Sequence, residues 1–165
     1  MTNWPTQSEC DSFYGNPRGR NGQPSLKWER DNLVLVVPPF QMLYAGKPIK
    51  SFRMHKQCAV ATLKALQAIN EATKGDKKLL TESGANIFGG SYNFRLMRNG
   101  TRLSMHSWGC AIDLDPARNG LGDATPHFAQ YPFIAKAFED QGATWGGRWS
   151  GSGCDGMHFQ FADVF

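Results

Sequence analysis

The chain has 165 residues, 41% hydrophobic and 19% charged, and its 18 Lys+Arg against 14 Asp+Glu give a formal charge of +4. The length suits one domain; the composition excludes disorder; the lack of a repeat or sustained heptad excludes solenoid, collagen and coiled coil. The small basic excess fits an anionic partner of any kind, and since no recognised binding motif accompanies it, no nucleic-acid partner is expected.

Residues 1–32 are polar and rich in turn formers, with an evident loop from Gly15 to Pro24, and have no assigned role. Leu33-Val-Leu-Val-Val37 is β-branched and closed by Pro38-Pro39, so it reads as a short strand. From His55 to Ala72, Ala59, Leu63, Leu66 and Ile69 recur at helical spacing and Gly75 follows, which predicts a helix. Ser83 to Asn99 is dense in Gly, Asn and Ser and reads as strand and loop around Ile87-Phe88. Ala111 to Asp115 alternates and reads as a strand that puts Ala111, Asp113 and Asp115 on one face and turns Cys110 and Ile112 to the core. Tyr131 to Gln141 reads as a second helix with Phe133, Ala137 and Phe138 on its apolar face; Ala143–Trp145 and Met157–Phe161 read as closing strands. Helices first and strands later give an α+β fold: a small, mostly antiparallel sheet with helices on one side and no domain boundary across 1–165.

The longest apolar run, Leu33 to Phe40, holds two prolines and is far too short to span a bilayer, so no stable membrane insertion is expected. The opening Met-Thr-Asn-Trp-Pro lacks a basic region followed by an apolar stretch, so synthesis in the cytoplasm without a signal peptide is the expectation. Cys10, Cys58, Cys110 and Cys154 never form Cys-x-x-Cys, which argues against a zinc finger and for buried free thiols.

One set of residues carries chemistry. His106 and Asp113 flank one predicted strand start, and Asp155 and His158 flank another. Two imidazoles and one carboxylate suit a catalytic zinc, which takes three protein ligands and keeps a fourth position open; Fe(II) uses the same ligand types. A further carboxylate, Asp155, is suited to proton transfer beside such a metal. His55 and His127 read as helix-start and turn residues, and Asp123 and Asp140 as turn and helix-end residues.

Ser-x-His-x-x-Gly-x-Ala-x-Asp at 104–113, followed by Asp-x-x-His at 155–158, resembles the signature of the VanX/VanY-like D-alanyl-D-alanine peptidase family, which includes L-alanyl-D-glutamate endopeptidases and phage endolysins. Tyr92-Asn-Phe-Arg95 resembles the family's arginine strand, Pro116 and Asn119 suit the loop after the Asp ligand, and Trp145-Gly-Gly-Arg-Trp149 resembles the aromatic segment before the final motif. The resemblance covers about residues 33–162 and implies a hedgehog/D-Ala-D-Ala-peptidase-like fold. It also implies Zn2+ held by His106, Asp113 and His158, with Asp155 as general base and then acid. Arg95 would stabilise the oxyanion, with Arg98 as the alternative, and Ser104 would bond the substrate backbone or the ligand shell, or simply cap its own turn. Trp108 would pack beneath the zinc, Trp145 in the core, and Trp149 along the substrate cleft.

The implied activity is hydrolysis of an amide bond in peptidoglycan stem peptides, with an L-alanyl-D-glutamate endolysin first and a D-Ala-D-Ala carboxypeptidase or dipeptidase second. Such an enzyme would be a monomer acting at the cell wall or in the periplasm after holin-type release. A zinc-stabilised, inactive binding module is the reading from a different class, and the presence of both Asp155 and Arg95 speaks against it.

Overall fold

A computed structural model describes residues 3–164 of the chain. Its longest helix, α3 (Lys56–Thr73), begins where the His55 ring Nδ1 accepts the Gln57 N–H (3.2 Å) and ends at Lys74, whose φ of 53° breaks the helical course ahead of Gly75. The buried face carries Cys58, Thr62, Ala65, Leu66 and Ile69; Ala59 and Leu63, expected on it, lie half-buried at its margin. The two buried threonine hydroxyls, Thr62 and Thr73, are satisfied by donating to the carbonyls of Cys58 and Ile69 one turn back. A second helix, α5 (Pro132–Glu139), starts on Pro132, needs no N–H there, and buries Ile134, Ala135, Ala137 and Phe138 against α3.

The cap residue His55 is no surface histidine. It is 1% exposed, and its Nε2 meets the Tyr14 carbonyl at 3.0 Å. Burial holds its pKa down at about 4, against an ordinary 6.5. A lowered histidine pKa means that the folded state resists protonation. Its contribution is complete above pH 6.5 and is lost as the pH falls towards 4, a cost of about 3 kcal/mol when fully charged. Thermal melts from pH 7 to 4 should therefore show a steeper loss of stability for the native chain than for His55→Asn, which keeps a capping acceptor without a titrating ring.

The strands form three antiparallel groups. β1 (Leu33–Val36) pairs with β4 (Phe52–His55), in register Leu33 with His55. β2 (Met42–Tyr44) and β3 (Lys47–Ile49) make a hairpin whose turn, Ala45-Gly46, has positive φ at both residues. The principal sheet has four strands in the order β5 (Phe88–Gly90), β6 (Ala111–Leu114), β8 (His158–Gln160) and β7 (Thr144–Trp145). The rings of Phe138 and Phe159 stack 4.4 Å apart beneath it.

This α+β, antiparallel architecture agrees with the sequence, but its order does not. Two short helices (Cys10–Tyr14 and Leu26–Asn32) do come first, but four strands then precede α3, so helices and strands interleave rather than follow one another in two blocks. A further helix, α4 (Lys77–Ser83), lies where the sequence reading placed no element before the Ser83 loop; it is capped by the Asp76 carboxylate and closed by Gly84. The predicted one-sided alternation along β6 also fails. Ala111, Ile112 and Leu114 are all buried, because β6 is a central strand covered on both faces. Asp115 leaves the strand altogether at φ 44° and binds the Arg118 Nε at 2.6 Å.

Residues 3–32 form part of the same core. They contribute α1 (Cys10–Tyr14) and α2 (Leu26–Asn32), and Trp4, Cys10, Tyr14 and Trp28 are buried in one cluster with Phe161 and Ala162. The Tyr14 hydroxyl donates to the Phe161 carbonyl (2.6 Å) and the Gln7 N–H to the Asp163 carbonyl (2.8 Å), so the two ends of the chain close on each other. All four cysteines are free and buried. Burial pushes the Cys58 thiol up to about 12.

Candidate metal centre

Three side chains from separate segments converge. His106 sits in a 3₁₀ turn (Met105–Trp108) capped by Ser104, whose hydroxyl accepts the His106 N–H, and closed by Gly109. Gly109 has φ 64°, and a Cβ there would lie 2.8 Å from Leu33 Cδ2 and 2.9 Å from the His55 nitrogen, so only glycine lets this turn press on the β1–β4 pair. Asp113 lies on β6, opposite Gly90 of β5 on one side and His158 of β8 on the other. The register of β5 shifts at Gly89, where a Cβ would stand 3.1 Å from the Asp113 carbonyl; the irregularity brings the 88–91 segment against the site.

His106 Nε2 lies 3.2 Å, and His158 Nδ1 3.0 Å, from the same Asp113 oxygen, and one ligand atom from each residue falls within 4.8 Å of the others. Burial alone would raise the Asp113 carboxyl, but the bonds and charges of the two imidazoles outweigh it and hold it well below the usual range. Burial would likewise lower His158, and the Asp113 carboxylate reverses that and raises it.

The hydrogen-bond partners of each ring choose which nitrogen faces inward. His106 Nδ1–H donates to the Ser91 carbonyl (2.6 Å), which leaves Nε2 as the lone pair, buried and without a hydrogen-bond partner. Gln160 is 1% exposed, and its amide N–H donates to the Ala162 carbonyl (2.8 Å). Its Oε1 therefore points back to His158 Nε2 (3.0 Å), which must carry a proton, leaving Nδ1 as the inward lone pair. Two neutral imidazole nitrogens and a carboxylate oxygen are a fitting donor set for a divalent metal, zinc foremost. Gln160→Leu removes the acceptor that holds the ring; metal affinity measured by calorimetry should fall about 10- to 100-fold, with Gln160→Glu recovering most of it.

Asp155 stands beside this group. Its backbone is pinned between the Gly146 carbonyl, which accepts the Asp155 N–H (2.9 Å), and the His158 N–H, which donates to the Asp155 carbonyl (3.1 Å). A Cβ at Gly146 would be 2.5 Å from that carbonyl, which accounts for a glycine there. Asp155 Oδ1 is buried with no hydrogen-bond partner among the described residues, and burial raises the carboxyl above its ordinary range. The Asp113 charge adds to that, while His158, His106 and Arg98 oppose it.

The four residues lie where two clefts meet. A cavity of ≈250 Å³ holds Ser104, Trp149, Asp155 and His158. A larger depression of ≈880 Å³ runs past Gly89, Gly90 and Tyr92 towards Tyr44 and Arg53. Arg95, Arg98, His106 and Asp113 border both. Arg95 is held by Ser107, whose hydroxyl accepts the Arg95 N–H (3.1 Å) and donates to its carbonyl (2.9 Å), while its guanidinium donates to the Leu96 carbonyl (3.2 Å). Arg98 is exposed, and its charge reaches Asp155. Trp149 lies half-buried with its ring 5.8 Å from that of His158, as a cleft wall would. Trp145 is a core residue that donates to the Gly156 carbonyl. Trp108 does not join the site: its Nε1–H donates to Asp11 Oδ1 (3.1 Å) of α1. His127, Asp123 and Asp140 take the structural places expected of them, bonding respectively the Glu82 carbonyl, Thr125 and Lys136.

Ser91, Ser107 and Gln160 were not singled out by sequence. Gln160 had a signal, since on a strand it shares the face of His158 two residues earlier; the Ser91 contribution is a backbone carbonyl, for which any residue would serve. No helix among the described residues is long and apolar enough to cross a membrane.

Residues 98–161 match a family model described as D-alanyl-D-alanine carboxypeptidase. The matched stretch, well under half of the chain, contains Ser104, His106, Asp113, Trp149, Asp155 and His158 and begins at Arg98, three residues after Arg95. No curated protein and no solved structure matches the chain. The similarity supports a peptidase, and the His106–Asp113–His158 group is one that can hold a metal.

Proposed function

We propose that the chain is a zinc-dependent peptidase that hydrolyses an amide bond within peptidoglycan stem peptides. The observation that carries this reading is a buried His-Asp-His donor set with an unpartnered carboxyl oxygen of Asp155 beside it, at the junction of two clefts. His106 Nε2, Asp113 and His158 Nδ1 would hold the zinc, which when bound would supply Lewis acidity at an amide carbonyl. Asp155 takes the proton of the attacking water and returns it to the departing amine. Arg95, or Arg98 beside it, donates to the carbonyl oxygen as negative charge develops there, with a permanently charged fork suited to the task. Ser104 holds the turn that presents His106, and Trp149 lines the cleft next to His158.

Two clefts share the residues of this group, and together they give room for a peptide chain that extends beyond the scissile pair. This supports an endopeptidase, which on our proposal is of the L-alanyl-D-glutamate endolysin type, a monomer acting at the cell wall after holin-type release. The second reading, a D-Ala-D-Ala carboxypeptidase, is favoured by the description of the matching family.

Purified murein sacculi digested with the protein decide between these readings by mass spectrometry of the released peptides. New termini between L-Ala and D-Glu support the endopeptidase and loss of terminal D-Ala the carboxypeptidase. Sacculi left intact by the zinc-loaded protein would overturn both, as would full activity after complete zinc removal.

A further inference from the structure

The larger cleft has a charge pattern that the reaction itself does not require. Among the described residues, three arginines border it, Arg53, Arg95 and Arg98, and the one acidic lining residue is Asp113, which belongs to the metal group. Arg95 and Arg98 already border the reacting centre, whereas Arg53 is absent from the smaller cavity and lies out along the larger depression.

Arg53 is displayed by β4, where alternation buries Phe52 and Met54 and turns Arg53 outward. Its guanidinium lies over the Tyr92 ring, 4.8 Å from the centroid, and its side chain stays 51% exposed. The nearest acid, Glu29, is 4.0 Å away and already accepts from the Tyr92 hydroxyl, so it orients Arg53 while leaving most of its five donors free. The arginine is also tied to the metal group through a single residue. The Ser91 hydroxyl donates to the Arg53 carbonyl (2.6 Å), and the Ser91 carbonyl accepts from His106 Nδ1 (2.6 Å). The offset between the Arg53 backbone and the reacting centre is therefore built into the fold.

We infer that the larger cleft contains a subsite for a carboxylate of the bound peptide, read by Arg53 at a fixed distance from the scissile bond. This rests on the peptidase reading and narrows it to substrates with a free acidic group near the cut, such as a stem peptide whose D-glutamyl carboxyl is not amidated. A planar carboxylate fits a guanidinium fork, and a carboxamide in its place turns N–H groups towards the Arg53 guanidinium, which itself has donors only.

Two stem peptides identical except for a free or amidated glutamyl carboxyl test this, with kcat/KM for the zinc-loaded protein and Kd for the zinc-loaded Asp155→Asn variant. The native chain should prefer the acid by about tenfold or more in both measurements, the size of one charged hydrogen bond. Arg53→Gln should bring the ratio close to one, and Arg53→Lys should restore part of it. Because each protein is compared on two peptides, a general folding defect cancels. A native ratio near one, or a ratio that Arg53→Gln leaves unchanged, overturns the subsite while cleavage itself upholds the peptidase. Preferential binding of the acid without cleavage of either peptide upholds the subsite and overturns the peptidase. Neither binding nor cleavage overturns both.

Discussion

Asp155→Ala should lower turnover by about three orders of magnitude, the upper part of the range for losing a general acid–base group, while zinc affinity stays close to native. The carboxyl is not one of the three donors that converge within 4.8 Å, so its removal leaves His106, Asp113 and His158 in place. Its Oδ1 is buried with no hydrogen-bond partner, and such a group costs stability in the folded state. The variant is thus expected to melt at the native temperature or slightly above it, the signature of a residue kept for chemistry at the expense of stability. Activity on sacculi, zinc titration by calorimetry and thermal melting measure the three quantities separately. Activity within tenfold of native would remove Asp155 from the mechanism; loss of zinc would make it a ligand.

How much of this was legible in the sequence depends on the range of the interaction concerned. The long helix α3 announces itself because its stripe repeats over 18 residues and Gly75 follows it. The helices α1 and α2, of five and seven residues, carry too few turns for periodicity to register. They are held by tertiary contacts such as Tyr14 to Phe161 and Trp28 to Tyr14, 147 and 14 residues apart. The hairpin β2–β3 escaped because its turn places Ala45 at φ 49°, where Asn or Gly would ordinarily signal it. By contrast, Asp76 and Gly84 bracket α4 with an ordinary cap and stop, a local signal that was present and passed over.

The three side chains that converge, His106, Asp113 and His158, were legible residue by residue, because their types and order stand in the sequence itself. What tunes them was not. Neither the Ser91 carbonyl that orients His106 nor the bulge that brings Gly90 opposite Asp113 has a side-chain signature. The burial of β6 on both faces, which overrides the expected alternation, comes from side chains of the core cluster that reach it from distant parts of the chain. Glycines serve both ends: Gly89 and Gly90 border the larger cleft, while Gly146 allows close packing against Asp155.

Asp113→Asn should abolish the metal site more completely than any change around it. Both imidazoles direct their inward nitrogen at one oxygen of this carboxylate, which is the single anionic member of the donor set. Asparagine keeps the volume and the place between Gly90 and His158 but loses the charge, and its N–H₂ face repels a cation. Zinc affinity should fall well beyond the roughly 100-fold that marks the upper end for outer-shell partners, and peptide hydrolysis should disappear with it. The readout that separates metal loss from unfolding is the melting temperature with and without zinc. Ligand bound only to the native state adds about 2.7 kcal/mol at a hundred times its Kd, so the native chain should melt several degrees higher in zinc and Asp113→Asn should show no such shift. A variant that folds as the native chain does and still gains stability from zinc would mean that the metal is held elsewhere. Asp113 would then serve as the hydrogen-bond partner of a protonated His158 Nδ1, 3.0 Å away, since a buried carboxylate takes donors whether or not a metal follows.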